Sequence, residues 1–158
     1  MRHHRTVPDD LSTQRTESCP GCGAVLVPPA GGGPSHAGPS HPGASASCTR
    51  LFEVTLRGLR EDAGTHAGTA AVVALADAAF DAQHPVLGDD DRLRTALDRL
   101  GASPEADIRP AVDRTPRAWR TTIADVAADL DVIDLTVLVE SWAKTVREDW
   151  TAEPLMRR

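Results

Sequence analysis

The sequence predicts a mainly α protein, a bundle of four or five helices behind a small N-terminal zinc-ribbon-like knuckle. Apolar residues recur three and four positions apart over several stretches that end at Gly or Pro, which is the helical period. The interior they supply is Ala, Val and Leu, with two Phe, three Trp and no Tyr. Such a palette suits close-packed helices better than aromatic-rich strands. The knuckle rests on Cys19-Pro20-Gly21-Cys22-Gly23, which holds two of the three cysteines, while Cys48 falls where a helix should begin.

A chain of 158 residues fits one domain with tails. Residues 1–17 are polar and aperiodic and read as a disordered tail. The domain covers 18–152, with knuckle and Gly/Pro loop at 18–48 and helical body at 49–152, and 153–158 form a second tail. A net charge of -6 argues against a general nucleic-acid coat, because phosphate binding needs concentrated Lys and Arg. No apolar run approaches the ~20 residues of a membrane span, and the N-terminus has no apolar signal core. The expected location is the cytoplasm. Three cysteines there point away from a disulfide framework and toward a metal site or a reactive thiol.

Val25-Leu26-Val27 is a short β-branched run stopped by Pro28-Pro29, one strand of a small ribbon. Residues 30–47 are low-complexity, with Gly-Pro-Ser-His at 33–36 and again at 38–41. A loop of this kind needs pinning, and metal ligation would pin it. Ser47 is the expected N-cap of a first helix carrying Leu51, Phe52, Thr55, Leu56 and Leu59 to about Arg60. Thr69 to His84 reads as the second helix, its apolar face running from Val72 to Phe80, and Pro85 ends it. Asp89-Asp90-Asp91 opens a third helix, roughly 91–100. The triplet reads as a cap that complements the helix dipole, since the ligand pattern of a calcium loop is missing, and Gly101 closes the helix.

Pro104, Pro110 and Pro116 make 102–118 an irregular crossing. Trp119 reads as a core anchor. Thr122 with Asp125 resembles a capping box opening a short helix to about Asp129. Asp131 or Asp134 then caps the best-patterned helix, which runs to about Trp150 and buries Leu135, Leu138, Val139, Trp142, Val146 and Trp150. At that spacing Trp142 and Trp150 read as core rather than as a ligand platform.

Two cysteines separated by two residues reach one ion when the chain turns tightly, which Pro20, Gly21 and Gly23 favour. Zinc takes thiolates in a tetrahedral shell, so Cys19 and Cys22 need two more donors. Cys48 is the third, its thiolate favoured by a helix N-terminus. The fourth is His36, His41 or a group outside the loop. A redox dithiol is the rival reading, but such motifs open a helix, and Val25-Leu26-Val27 does not continue as one. Free thiols without metal are the other. Four protein donors make a closed structural site, whereas a vacant position taken by water would make a catalytic one, with His66 or His84 as acid–base candidates. The chain has no HExxH, GxSxG or phosphate-loop motif.

Cys19-Pro20-Gly21-Cys22-Gly23-Ala24, Gly38-Pro39-Ser40-His41-Pro42-Gly43-Ala44-Ser45, Cys48 and the Ala82-Gln83-His84-Pro85 step resemble a bacterial family of uncharacterised proteins, a domain of unknown function. Thr122 to Val126, and Val139 to Ala143 leading to Trp150, also resemble part of that family. Thr49 and Val73 depart from it, standing where members often carry Trp and His. The resemblance implies a zinc knuckle with Cys19, Cys22, His41 and Cys48 as ligands, the histidine mapping to His41 through its Gly-Pro-Ser-His-Pro context. It implies no activity. The expected function is a small structural-zinc protein acting as a binding or interaction module, with a protein partner rather than nucleic acid or membrane. The alternatives are a zinc-dependent hydrolase or modifying enzyme, and a nucleic-acid-binding zinc protein. The last is disfavoured because only Arg15 and Arg50 lie near the knuckle in sequence.

Overall fold

The ribbon and the first helix are built around one short turn. In the computed structural model, which describes residues 15–28, 41–102 and 115–152, strand β1 (Glu17–Ser18) pairs antiparallel with β2 (Val25–Leu26), Glu17 opposite Leu26. The knuckle is the loop between them. It closes on two backbone bonds, Cys19 N–H to the Ala24 carbonyl and Gly23 N–H to the Cys19 carbonyl, both 2.9 Å. Gly23 has φ 75°, a conformation that costs a residue with a Cβ. Strand β1 takes in Glu17, the last residue of the segment expected to be tail. The expectations for 1–14, for the loop at 29–40, for 103–114 and for 153–158 lie outside the described residues.

Helix α1 (Ala46–Ala63) starts two residues earlier than a cap at Ser47 would place it. Ser45 is the cap, its hydroxyl accepting from Cys48 N–H at 3.1 Å, and Ser47 instead donates to Glu17 at 3.0 Å. A side chain at the cap position reaches back to the third amide, which Ser47 inside the first turn could not do. Helix α2 (Ala67–Gln83) is the central element and packs on α1, on α3 (Asp90–Leu100) and on α5 (Leu135–Thr151). Its alanines explain that position: Ala76, Ala79 and Ala82 are fully buried and let three neighbours approach closely. Phe52 of α1 stacks on Phe80 of α2, centroids 4.1 Å apart.

The acidic cap of α3 matches the expectation. Asp89 accepts from Arg92 N–H, and Gly101 ends the helix in the left-handed conformation. In α4 (Ile123–Ala128) the Asp125 carboxylate accepts from the Thr122 N–H at 2.8 Å, the reciprocal half of a capping box. Asp134, not Asp131, caps α5, accepting from Thr136 N–H at 2.9 Å. The α5 stripe buries Leu138, Val139, Trp142 and Val146, while Leu135 and Trp150 are half-buried against the same core. No helix among the described residues is long and apolar enough to cross a membrane.

The three tryptophans tie this core to the end of α2 and to the knuckle. Trp142 Nε1 donates to Gln83 Oε1 at 3.1 Å, Trp150 Nε1 to the Ala82 carbonyl at 3.0 Å, and Trp119 Nε1 to the Gly21 carbonyl at 3.2 Å. Gln83 is wholly buried and passes its own amide hydrogen to the Thr121 carbonyl at 2.7 Å. A buried amide left unpaired costs ~1–3 kcal/mol, so this relay fixes the end of α2 against α5 and the segment before α4.

Candidate metal centre

Pro20 and Gly21 bend the chain so that Cys19 and Cys22 point the same way, toward the first turn of α1. Cys48 enters from that turn, its backbone held by the Ser45 cap. The fourth member comes from 36 residues further on. His84, at the C-terminal cap of α2, brings Nε2 to 3.5 Å from Cys48 Sγ. Cys22 Sγ lies 3.8 Å from Cys48 Sγ. The donor atoms of Cys19, Cys22, Cys48 and His84 all lie within 4.8 Å of one another, and all four residues are buried.

The 3.8 and 3.5 Å separations match two edges of a tetrahedral shell. Bonds of ~2.3 Å to sulfur and ~2.0–2.1 Å to nitrogen give shell edges of ~3.8 Å between sulfurs and ~3.5–3.6 Å from sulfur to nitrogen. The three cysteines are free, and 3.8 Å is far from the ~2.05 Å of a disulfide.

The surroundings prepare each donor. His84 Nδ1 lies 2.6 Å from the Phe80 carbonyl. A carbonyl only accepts, so Nδ1 carries the hydrogen and Nε2 faces the sulfurs, the outer-shell arrangement that orients metal-binding histidines. The Ser45 N–H donates to Cys19 Sγ at 3.4 Å. Gly21 leaves room for the ring: a Cβ there would collide with His84 Cδ2 and stand 2.7 Å from the Gly43 carbonyl.

Without a cation the group is electrostatically lopsided. Hydrogen bonds from Cys22, then Cys48, hold the Cys19 thiol far below its ordinary range, against the opposing effect of burial. Contacts with Cys19 and Cys22, together with burial, push Cys48 far above it. Burial disfavours a charged His84, yet hydrogen bonds to Cys19 and Cys22 outweigh it and push the ring up to about 9. The first thiol ionises readily and the last cannot, because like charges in one dry pocket repel. A bound cation would remove that conflict, so the donor set is compatible with a metal ion.

Of the four ligands expected from sequence, the structure brings Cys19, Cys22 and Cys48 together and leaves His41 out. Both nitrogens of His41 are engaged elsewhere. Nδ1 accepts from the Gly43 N–H at 3.1 Å, and Nε2 donates to Asp81 Oδ1 at 2.9 Å. The ring packs edge-on against Phe80, and the His41 carbonyl accepts from Ala44 N–H. His41 thus shapes the turn that delivers Ser45 and Cys48. His36 lies outside the described residues. His66 caps the opposite end of α2, roughly 27 Å along the helix from His84 at 1.5 Å per residue, and cannot accompany the centre.

In the sequence His84 stood out as a helix-end histidine before Pro85, within the Gln-His-Pro step, and as an acid–base candidate rather than a ligand. That step is now accounted for residue by residue: Gln83 bridges Trp142 and Thr121, His84 joins the sulfurs, and Pro85 ends the helix so the ring can turn inward. A model for a family of unknown function, DUF5946, matches residues 17–112, which spans the knuckle, α1, α2 and α3. The chain belongs to this family. No curated protein and no solved structure matches it. The family match takes in all four members of the group and carries no activity.

Proposed function

We propose that the chain is a binding or interaction module whose ribbon and Gly/Pro loop are stapled to the helical body by one structural zinc, held by Cys19, Cys22, Cys48 and His84. The observation that carries this reading is the convergence of four buried donors within 4.8 Å of one another, with the imidazole oriented from behind by the Phe80 carbonyl. Three thiolates and one imidazole suit zinc better than the hard, oxygen-seeking cations. Four protein donors fill four positions, which supports a structural role over a hydrolytic one. A centre of three thiols stays intact where thiols are kept reduced, so the reading puts the chain in the cytoplasm. Exposed apolar residues ahead of and on α5 (Val132, Ile133 and Val137) are where it would put a protein partner.

Metal analysis with X-ray absorption on protein purified without oxygen tests the reading. One zinc per chain with three sulfur neighbours and one nitrogen is expected. A shell containing water would move the assignment to the hydrolase alternative, and the absence of bound metal would sink the proposal.

A further inference from the structure

The turn from α4 into α5 carries more apolar surface than the fold uses. A helix on the outside of a bundle buries one stripe, and α5 gives Leu138, Val139, Trp142 and Val146 to it. Leu130, Val132, Ile133 and Val137 are left facing solvent within eight positions, Val132 at 80% exposure. Apolar residues exposed singly are ordinary, whereas a cluster rimmed by polar groups marks an interaction surface. Backbone bonds hold this cluster in shape. The Asp129 carbonyl accepts from Val132 N–H at 3.1 Å and from Ile133 N–H at 3.0 Å, and the Asp134 carboxylate caps α5 through Thr136 N–H.

The rim is acidic. The chain has no Lys, Arg or His between Arg120 and Lys144, and that interval holds Asp125, Asp129, Asp131, Asp134 and Glu140. Asp125 is committed to the capping box of α4. Asp129, Asp131 and Asp134 are exposed, and none of them makes an ion pair among the described residues. Arg120, at the edge of the interval, is held by Glu148 and Asp149 near the other end of α5. Carboxylates interleaved with apolar side chains decide what can cover them. An anionic lipid surface or a nucleic acid would be repelled. A second copy docking through the same patch about a twofold axis would set these aspartates against their own copies. A protein segment with Lys or Arg beside its apolar side chains is complementary on both counts.

We propose that the α4–α5 turn docks a cationic amphipathic segment of a partner protein. Its apolar side chains lie on Val132, Ile133 and Val137, and its Lys or Arg side chains face Asp129 and Asp131. The partner class so named rests on the interaction-module reading and needs no particular metal at the sulfur group. The docking surface is at the start of α5, whereas Trp150 at its other end bonds the Ala82 carbonyl beside the Gln83-His84 step. Val137 and Trp150 are roughly 20 Å apart along the helix at 1.5 Å per residue.

The test titrates the full chain, as purified with its metal, with three peptides. One has Leu at three- and four-residue spacing and Lys elsewhere, one has Glu in place of Lys, and one has Ser in place of Leu. Calorimetry gives the affinity, and amide chemical shifts give the place. The Lys/Leu peptide should bind saturably with a Kd below about 1 mM and move the amides of the turn. The Ser peptide should bind at least about tenfold more weakly, and the Glu peptide should not bind. Val132→Ser should weaken binding by about tenfold, what burying one valine contributes, and should leave the melting temperature unchanged, since the side chain is exposed. Asp131→Asn should weaken it by about two- to fivefold, an effect that fades in high salt because rim charges are screened. Leu87→Ser removes a side chain that is 84% exposed beside Asp89-Asp90-Asp91 and should change nothing. Five results would overturn the proposal: no saturable binding of the Lys/Leu peptide; equal binding of the Glu peptide; equal losses in Leu87→Ser and Val132→Ser; a dimer of the chain that Val132→Ser dissociates; or binding to phosphatidylserine vesicles that Val132→Ser abolishes. Saturable binding with shifts confined to another surface would also sink this site while keeping the interaction module. Failure to bind the peptide with zinc in a closed shell leaves the staple standing, and binding at the turn in a chain without metal does the reverse.

Discussion

Replacing His84 by Ala separates the two histidines that could complete the sulfur group. The ring is 1% exposed, its Nε2 is 3.5 Å from Cys48 Sγ and its Nδ1 is 2.6 Å from the Phe80 carbonyl. Losing an outer-shell partner of a metal ligand typically costs 10–100-fold in affinity. Losing the ligand must cost more, so zinc affinity should fall by more than about 100-fold, or ~2.7 kcal/mol. The Phe80 carbonyl also loses its partner, which adds to the loss in folding stability. His41→Ala gives a different pattern. It deletes the bonds to Asp81 and Gly43, at 2.9 and 3.1 Å, and should destabilise the fold by ~1–3 kcal/mol. Zinc should nevertheless stay bound with three sulfurs and one nitrogen. Competition with a chromophoric chelator gives the affinities, and X-ray absorption gives the shell. If His84→Ala keeps the nitrogen neighbour and wild-type affinity while His41→Ala loses both, the assignment of the fourth donor is wrong.

Two further outcomes follow from the same geometry. Gly21→Ala places a methyl group against His84 Cδ2 and the Gly43 carbonyl. It should cost ~1–3 kcal/mol in a thermal melt, as overpacking does, and speed zinc loss to a chelator; wild-type behaviour in both would mean that the ring does not pack on the knuckle as described. Zinc affinity should also depend on pH. The metal-free His84 ring is pushed up to about 9 from 6.5, so it is protonated at neutral pH and a proton must leave before Nε2 can bind. Apparent affinity should therefore rise by about tenfold per pH unit from the imidazole alone as pH climbs toward 9, more steeply with the thiols. A flat profile in chelator competition between those limits would contradict the raised value.

Local interactions made most of the helices legible. The caps at Asp89 and Thr122, the stop at Gly101 and the three-and-four spacing of α5 act within one or two turns, so the sequence order itself carries them. Where the expectation slipped, as with Ser47 for Ser45, the two candidates lie two residues apart and only the path of the chain into the helix chooses between them.

The half-site was legible for the same reason. Cys19 and Cys22 are joined by a turn whose Pro and Gly reveal its shape, and Cys48 announces itself at a helix start. The fourth donor was not legible, because no local rule links Cys22 to His84 across 62 positions of sequence. The repeated Gly-Pro-Ser-His offered both His36 and His41, and the family resemblance, through Gly-Pro-Ser-His-Pro, favoured His41. Antiparallel packing of α1 and α2 decided otherwise, by setting the C-terminal end of α2 against the first turn of α1 and the knuckle. Composition and spacing thus determined a helical body with a three-cysteine centre. Tertiary packing alone decided which histidine joins the three cysteines. Side chains distant in sequence meet only through the packing of the elements that carry them.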